Sequence, residues 1–256
     1  MPKIKFPDST VLAAASIHAL TASGVFWAFM AMLAAESKDF PAMFAWLGLA
    51  LLVDGIDGPL ARAVSIRTVL PNWNGEVLDL VVDYLTYVFI PAYAAYQAGL
   101  FPYGWGFPAV ALILMSSAVF FSSTHQKTQD NFFIGFPAIW NIVLFYGLIF
   151  GVSPWFTMVV VTVLSVLTLT PIAFVHPLRV KRLRIISIGM LFAWSALAAA
   201  AIGQDLDPAL PVQIGLAGIA IYFTALGVWR TLYGAAQAID PRERKRRAQI
   251  KAKGEE

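Results

Sequence analysis

Residues 42–62 read AMFAWLGLALLVDGIDGPLAR, an apolar run that ends in two aspartates three positions apart and an arginine. About 20 apolar residues in a helix are long enough to cross the hydrocarbon core of a bilayer. Seven further apolar runs lie at residues 12–35, 77–97, 107–123, 133–150, 154–175, 185–202 and 211–234. They lack the alternation of a barrel strand, so the sequence predicts an all-α integral membrane protein with a bundle of about eight transmembrane helices.

The composition of the whole chain supports this fold class. Of 256 residues, 59% are hydrophobic and only 13% are charged, whereas soluble domains contain about 25% charged residues. The sequence shows no internal repeat or low-complexity linker, and we expect a single membrane domain over residues 1–256. The absence of cysteine excludes disulfides, thiolate metal sites and cysteine nucleophiles.

Basic residues are concentrated in every second connection between the predicted spans. Nearly all lysines and arginines lie in residues 1–10, 62–74, 124–131, 176–184 and 240–256. By the positive-inside rule, this pattern places both termini in the cytoplasm. The net charge of +3 then reflects membrane orientation, and we expect contact with membrane lipids but not with nucleic acid. We interpret the basic tail, residues 240–256, as a solvated topogenic segment, with binding to anionic lipid as the alternative.

Four aspartates lie inside predicted spans, where a charged side chain costs at least about 2.5 kcal/mol. Asp54 and Asp57 are near the cytoplasmic end of the second span, three positions apart. Asp79 and Asp83 are near the cytoplasmic start of the third span, four positions apart, and Glu76 extends their face. These spacings put each pair on one helix face. We therefore expect acids from two helices, within residues 42–97, to converge beneath the inner headgroups.

Converging carboxylates repel one another unless cations neutralise them. An all-oxygen donor set is typical of Mg²⁺ or Mn²⁺ sites, and we expect two such ions here. Gly55 and Gly58 remove side chains beside the acids, and Arg62 is one turn nearer the cytoplasm, where it can bind a phosphate oxygen. These features predict in-line phosphoryl displacement on a diphosphate substrate whose lipid part remains in the bilayer.

The motif DGIDGPLAR at residues 54–62, followed by Gly75, Asp79 and Asp83, resembles the signature of the CDP-alcohol phosphotransferases. That signature is written DxxDGxxAR, a spacer, then GxxxDxxxD. The spacer here, residues 63–74, has twelve residues and is longer than is usual in the family. It is similar to the spacer of bacterial members that transfer a phosphatidyl group from CDP-diacylglycerol to choline. The stretches 18–24, 127–141 and 174–184 are also similar to that subgroup.

The resemblance implies a homodimeric enzyme of the bacterial inner membrane that makes a phospholipid and releases CMP. It implies that Asp54, Asp57 and Asp79 bind one metal ion. Asp54 and Asp79 would contact a second ion together with Asp83, which would also be the catalytic base. The positions that match those lying against the cytidine diphosphate are Gly58, Ala61, Arg62 and Gly75, with His18 and Thr21 contributed by the first helix.

Choline carries a quaternary ammonium group, which donates no N–H hydrogen bond. Such a cation is recognised by aromatic faces and by nearby negative charge. The candidate residues for this contact are Glu76, Tyr84, Tyr87 and Trp140, and Trp73 and Tyr146 are further aromatic candidates.

Two alternatives remain open from the sequence. The same motif occurs in phosphatidyltransferases for other alcohols, and serine is the acceptor hardest to exclude, because segments such as residues 133–137 occur in serine enzymes as well. An ion-coupled transporter would also place acids inside the membrane. It predicts inverted repeats and acids near the midplane, and the sequence shows neither.

Overall fold

The computed structural model describes residues 8–123, 128, 132–174 and 184–233. Within these ranges, eight helices of ten or more residues form the fold, together with a four-residue helix, Ile66–Val69. The eight are α1 (Ser9–Glu36), α2 (Phe40–Val64), α3 (Gly75–Gln97), α4 (Gly106–Ser122), α5 (Trp140–Ile149), α6 (Pro154–Thr168), α7 (Arg184–Ile202) and α8 (Leu210–Tyr233). The basic tail at 240–256 and most of the basic connections at 124–131 and 176–184 lie outside the described residues.

Five of these helices, α1, α2, α3, α7 and α8, are long and apolar enough to cross a membrane. The predicted fold class, an all-α membrane protein built on eight helices, is therefore confirmed in the described ranges, and the chain is a multi-pass membrane protein. The other three helices are shorter. At about 1.5 Å per residue, the ten residues of α5 extend across only about half of a bilayer core.

Side-chain caps define where α2 and α3 begin. The carboxylate of Asp39 accepts a hydrogen bond from a first-turn backbone N–H of α2. The side chain of Asn74 accepts hydrogen bonds from the backbone N–H groups of Glu76 and Val77 at the start of α3. At the other end of α2, Ser65 adopts a left-handed conformation with φ of 54°. These ends set the length of the connection that separates the two groups of aspartates.

α1 packs along α2 and against the first part of α3. The approach to α3 is close at Gly24, where an added Cβ atom would lie 2.5 Å from Cγ1 of Val82. Val82 immediately precedes Asp83. The small residue in α1 therefore lets three helices meet at the level of the predicted site.

A π-helical segment, Tyr84–Phe89, interrupts the α-helical geometry of α3 directly after Asp83. π-helical turns have i→i+5 hydrogen bonds, are rare, and occur frequently at functional sites. The buried hydroxyl of Thr86 donates a hydrogen bond of 2.9 Å to the carbonyl of Val82. This bond adds a side-chain donor to the backbone hydrogen bonds of the widened turn. The π-helical geometry also changes the direction in which the side chains after Asp83 project.

The helices predicted at 133–150 and 154–175 are shorter than expected. Instead, Phe133–Ile134 (β1), which precedes α5, pairs in antiparallel orientation with Ala173–Phe174 (β2), which follows α6. The sequence prediction was wrong at these two ends, because an apolar run of this composition suits a helix or a strand.

Glycine and proline explain why the helices stop. Pro137 and Pro171 lack a backbone N–H group and disfavour helical geometry in the preceding residue. Gly135 has φ of +87°, and an added Cβ atom there would collide with the backbone carbonyl oxygen of Thr168. Both the left-handed conformation and the close approach therefore require glycine at this turn.

We predict that Gly135→Ala destabilises the protein more than Gly99→Ala. Gly99 also has a positive φ, of +68°, but an added Cβ atom there meets nothing within 4 Å. Gly99→Ala should cost about 1 kcal/mol for the left-handed conformation alone, whereas Gly135→Ala should cost about 2 kcal/mol or more, because backbone must also move. The midpoint of thermal unfolding in detergent measures both. If both variants lowered the unfolding midpoint equally, the close approach of Gly135 to Thr168 would not contribute to stability.

Candidate functional site

Three carboxylates from α2 and α3 form the centre of the candidate site. One oxygen atom from each of Asp54, Asp57 and Asp79 lies within 4.8 Å of the other two. Asp57 is buried, with 6% of its surface exposed, and the other two are partly buried. The structure therefore brings together three of the four aspartates that the sequence singles out, from the two helices that were expected to carry them.

The donor atoms of this group fit a divalent metal ion. Oδ2 of Asp57 is buried and has no hydrogen-bond partner within the part of the chain that the structure describes. A buried carboxylate oxygen without a donor is costly unless a cation compensates its charge. Three carboxylates at this separation also supply the oxygen ligands that Mg²⁺ and Mn²⁺ prefer.

Asp83 lies one turn further along α3, next to the group of three rather than within it. Its negative charge acts on the hydroxyl group of Tyr87, as do the charges of Asp54 and Asp79. The Tyr87 hydroxyl donates a hydrogen bond of 3.2 Å to Oδ2 of Asp54. Tyr87 therefore lies among acids from both helices, a contact that the sequence analysis did not anticipate.

α1 covers the carboxylates on one side. The hydroxyl of Thr21 lies beside the carboxylate of Asp57, and both residues line a narrow recess between α1, α2 and α3. One turn earlier, the ring of His18 lies against Gly75, where an added Cβ would be 3.0 Å from Cε1 of His18. The ring also stacks on Trp73 with a centroid distance of 6.4 Å. Two predicted nucleotide residues, His18 and Gly75, are thus neighbours.

The remaining predicted phosphate-binding residues lie on the last turns of α2. Arg62 is exposed, and its guanidinium group turns back along the helix, 3.4 Å from the position of a Cβ atom on Gly58. Ala61 is partly buried beside it. Glu76 is exposed in the first turn of α3. Small residues and one cationic side chain therefore surround the end of α2 that follows Asp57.

Two of the aromatic candidates direct their polar ends to α4. The hydroxyl of Tyr84 donates a hydrogen bond of 2.9 Å to the carbonyl of Leu114. The indole N–H of Trp140, which is only 2% exposed, donates a hydrogen bond of 2.8 Å to the hydroxyl of Ser117. These contacts join helices, and they do not bring either polar end to the carboxylates.

The polar ends of the other aromatic candidates also lie in different places. The hydroxyl of Tyr146 donates a hydrogen bond of 2.8 Å to the carbonyl of Leu216 in α8. Trp73 is 67% exposed and lies beside His18. Among the six candidate side chains for choline, Tyr87 is the aromatic one whose polar end faces the carboxylates. The spacing of four residues from Asp83 was a signal for this position, but the π-helical segment was not predictable.

Comparison with known proteins identifies the family. No family model matches this chain. It is 42% identical over 245 residues to the phosphatidylcholine synthase of Mesorhizobium japonicum, covering 93% of this chain and 90% of that protein. It is 50% identical over 182 residues to that of Rhizobium johnstonii, covering 71% and 75%. It is 44% identical over 217 residues to that of Pseudomonas aeruginosa, covering 84% and 90%. With such identity over most of its length, the chain belongs to the phosphatidylcholine synthase family.

Proposed function

We propose that this chain synthesises phosphatidylcholine by transferring the phosphatidyl group of CDP-diacylglycerol to choline, with release of CMP. The observation that carries the proposal is the convergence of Asp54, Asp57 and Asp79 within 4.8 Å, in a chain whose relatives are named phosphatidylcholine synthases. Carboxylates that cluster inside a membrane protein are costly. Binding of divalent cations, and through them of a diphosphate substrate, would offset that cost.

In this proposal, Asp54, Asp57 and Asp79 hold one Mn²⁺ or Mg²⁺ ion. Asp83 contacts a second ion together with Asp54 and Asp79. Ions in such sites stabilise the negative charge that develops on a phosphate leaving group, which here would be CMP. The buried, unpartnered Oδ2 of Asp57 supports the first of these ion positions.

The nucleotide would lie between the end of α2 and the start of α3. Arg62 would bind a phosphate oxygen, because its exposed guanidinium group lies beside Gly58 and a guanidinium fork matches phosphate geometry. His18, in contact range of Gly75, has a buried Nε2 atom without a partner in the described residues. The full set of proposed nucleotide-binding residues is His18, Thr21, Gly58, Ala61, Arg62 and Gly75.

Asp83 is proposed as the catalytic base. The hydroxyl oxygen of choline attacks the phosphorus that carries diacylglycerol, and the bond between that phosphorus and the oxygen of CMP breaks. The hydroxyl proton passes to the carboxylate of Asp83. A choline hydroxyl requires only partial deprotonation in the transition state, so a carboxylate within hydrogen-bond reach is a sufficient base.

For the quaternary ammonium of choline, we propose the ring of Tyr87 and the negative charge of Glu76. The hydrogen bond from the Tyr87 hydroxyl to Asp54 supports this assignment, because it brings Tyr87 against the carboxylates, and aromatic faces attract quaternary ammonium groups. Tyr84 and Trp140 would contribute only their ring faces, since their polar ends bind to α4.

We further propose that the chain is a single membrane domain that acts as a homodimer in the bacterial inner membrane, in contact with membrane lipids. Both termini would lie in the cytoplasm. The concentration of lysine and arginine in every second connection supports this orientation.

The acceptor is tested by supplying purified protein in detergent with CDP-diacylglycerol, Mn²⁺ and one of choline, serine or inositol. We predict that CMP is released with choline and that labelled choline appears in lipid. An aromatic and anionic site favours a quaternary ammonium over an uncharged polyol. Release of CMP with serine but not with choline would instead support the serine alternative. A transporter would release no CMP with any of the three.

We predict that Asp57→Asn and Asp79→Asn each lower the rate of CMP release more than about 100-fold. Loss of an outer-shell partner of a metal ligand already costs about 10- to 100-fold, and these variants would remove the ligand charge itself. Asp207→Asn is the matched control, because Asp207 is an exposed carboxylate in the connection between α7 and α8. A normal rate in either site variant would contradict the proposed metal site.

We predict that Asp83→Asn lowers the rate of CMP release by about 10²- to 10⁴-fold, the range that general base catalysis contributes. The protein should remain folded, because the amide has nearly the same shape. Size-exclusion elution and the thermal unfolding midpoint in detergent check the fold. A rate near that of the unmodified protein would show that Asp83 is not the base.

A further inference from the structure

Tyr87 is a polar residue in contact with the candidate metal site, and it lies outside the signature motif. Its hydroxyl donates to Oδ2 of Asp54 at 3.2 Å. Within the described ranges, the Asp54 side chain thus accepts a hydrogen bond from a side chain of the neighbouring helix. The bond connects α3 to α2, the two helices that carry the carboxylates.

Tyr87 lies in the π-helical segment that follows Asp83. In a regular α-helix, Asp79, Asp83 and Tyr87, at intervals of four residues, would lie along one face. The wider turn of Tyr84–Phe89 changes the direction of the residues that follow Asp83. Tyr84, in the same segment, directs its hydroxyl to the carbonyl of Leu114 in α4, whereas Tyr87 directs its hydroxyl to α2.

The hydrogen bond restricts Asp54 in a way that matters for metal binding. An ionised carboxylate has two acceptor oxygens, and a donor fixed to Oδ2 limits rotation of the group. If the Asp54 side chain rotated freely, its oxygen would no longer stay within 4.8 Å of the oxygens of Asp57 and Asp79. Partners that orient metal ligands in this way contribute about 10- to 100-fold to metal affinity.

We propose that Tyr87 is a positioning residue whose hydroxyl holds Asp54 in the orientation that binds the divalent ion. This role rests on the proposed function, and it is separate from the role proposed above for the ring of the same residue. Tyr87→Phe separates the two, because it removes the hydroxyl and keeps the aromatic face.

The decisive experiment measures Mn²⁺ binding to the full-length chain in detergent, without substrate, by the electron paramagnetic resonance signal of free Mn²⁺. We expect Tyr87→Phe to raise the dissociation constant for Mn²⁺ about tenfold or more. Tyr93→Phe is the matched control. Its hydroxyl lies on the same helix and accepts a hydrogen bond of 2.7 Å from Gln97, so its loss should leave Mn²⁺ binding unchanged.

Steady-state kinetics supply a second measurement. In Tyr87→Phe, the Mn²⁺ concentration for half-maximal CMP release should rise with the dissociation constant, while the KM for choline should change less than about twofold because the ring remains. A raised choline KM with normal Mn²⁺ binding would overturn the proposal and assign the hydroxyl to the acceptor.

Two further outcomes are informative. A lower unfolding midpoint with unchanged Mn²⁺ affinity would also overturn the proposal, because the bond would then only join two helices. Failure of the unmodified chain to bind either Mn²⁺ or Mg²⁺ would refute the metal site itself and the role of Tyr87 with it. Normal binding by the unmodified chain and weakened binding by Tyr87→Phe alone would support both.

Discussion

Mutual repulsion among Asp54, Asp57 and Asp79 is the constraint on which the rest of this structure depends. Three acidic side chains with oxygens within 4.8 Å of one another repel strongly where the dielectric constant is low. The helices that carry them must be held together by contacts elsewhere. The caps at Asp39 and Asn74 set the ends of α2 and α3, and the packing of α1 against both helices closes the group. A bound divalent cation would then turn this repulsion into attraction.

One face of α1 extends along the whole site although it supplies no carboxylate. His18 lies against Gly75, Thr21 beside Asp57, and Gly24 against Val82. Residues at intervals of three share a helix face, so a single stripe contacts both halves of the motif. The residues of the stretch around His18 therefore contact the site, although none of them is a carboxylate.

Sequence predicted the meeting of Asp54, Asp57 and Asp79, because helical spacing places each pair of acids on one face of its helix. It did not predict the turn at Gly135 or the pairing of Phe133 with Phe174. Those features depend on partners distant in the chain, such as the carbonyl of Thr168. In addition, a short apolar run has the same composition in a strand as in a buried helix, so composition does not distinguish them. The π-helical segment after Asp83 was inaccessible for the same reason.

The aromatic residues show how a membrane interior limits ligand recognition. Phenol and indole groups buried among helices usually have hydrogen-bond partners, because an unpaired polar group is costly where water is excluded. Trp140 and Tyr146 meet this need by donating to Ser117 and Leu216, and their polar ends are thereby committed to joining helices. Tyr87 instead donates to an acidic side chain of the site. Of these three polar groups, the Tyr87 hydroxyl is therefore the one that links a helix to the acidic site instead of joining two helices away from it.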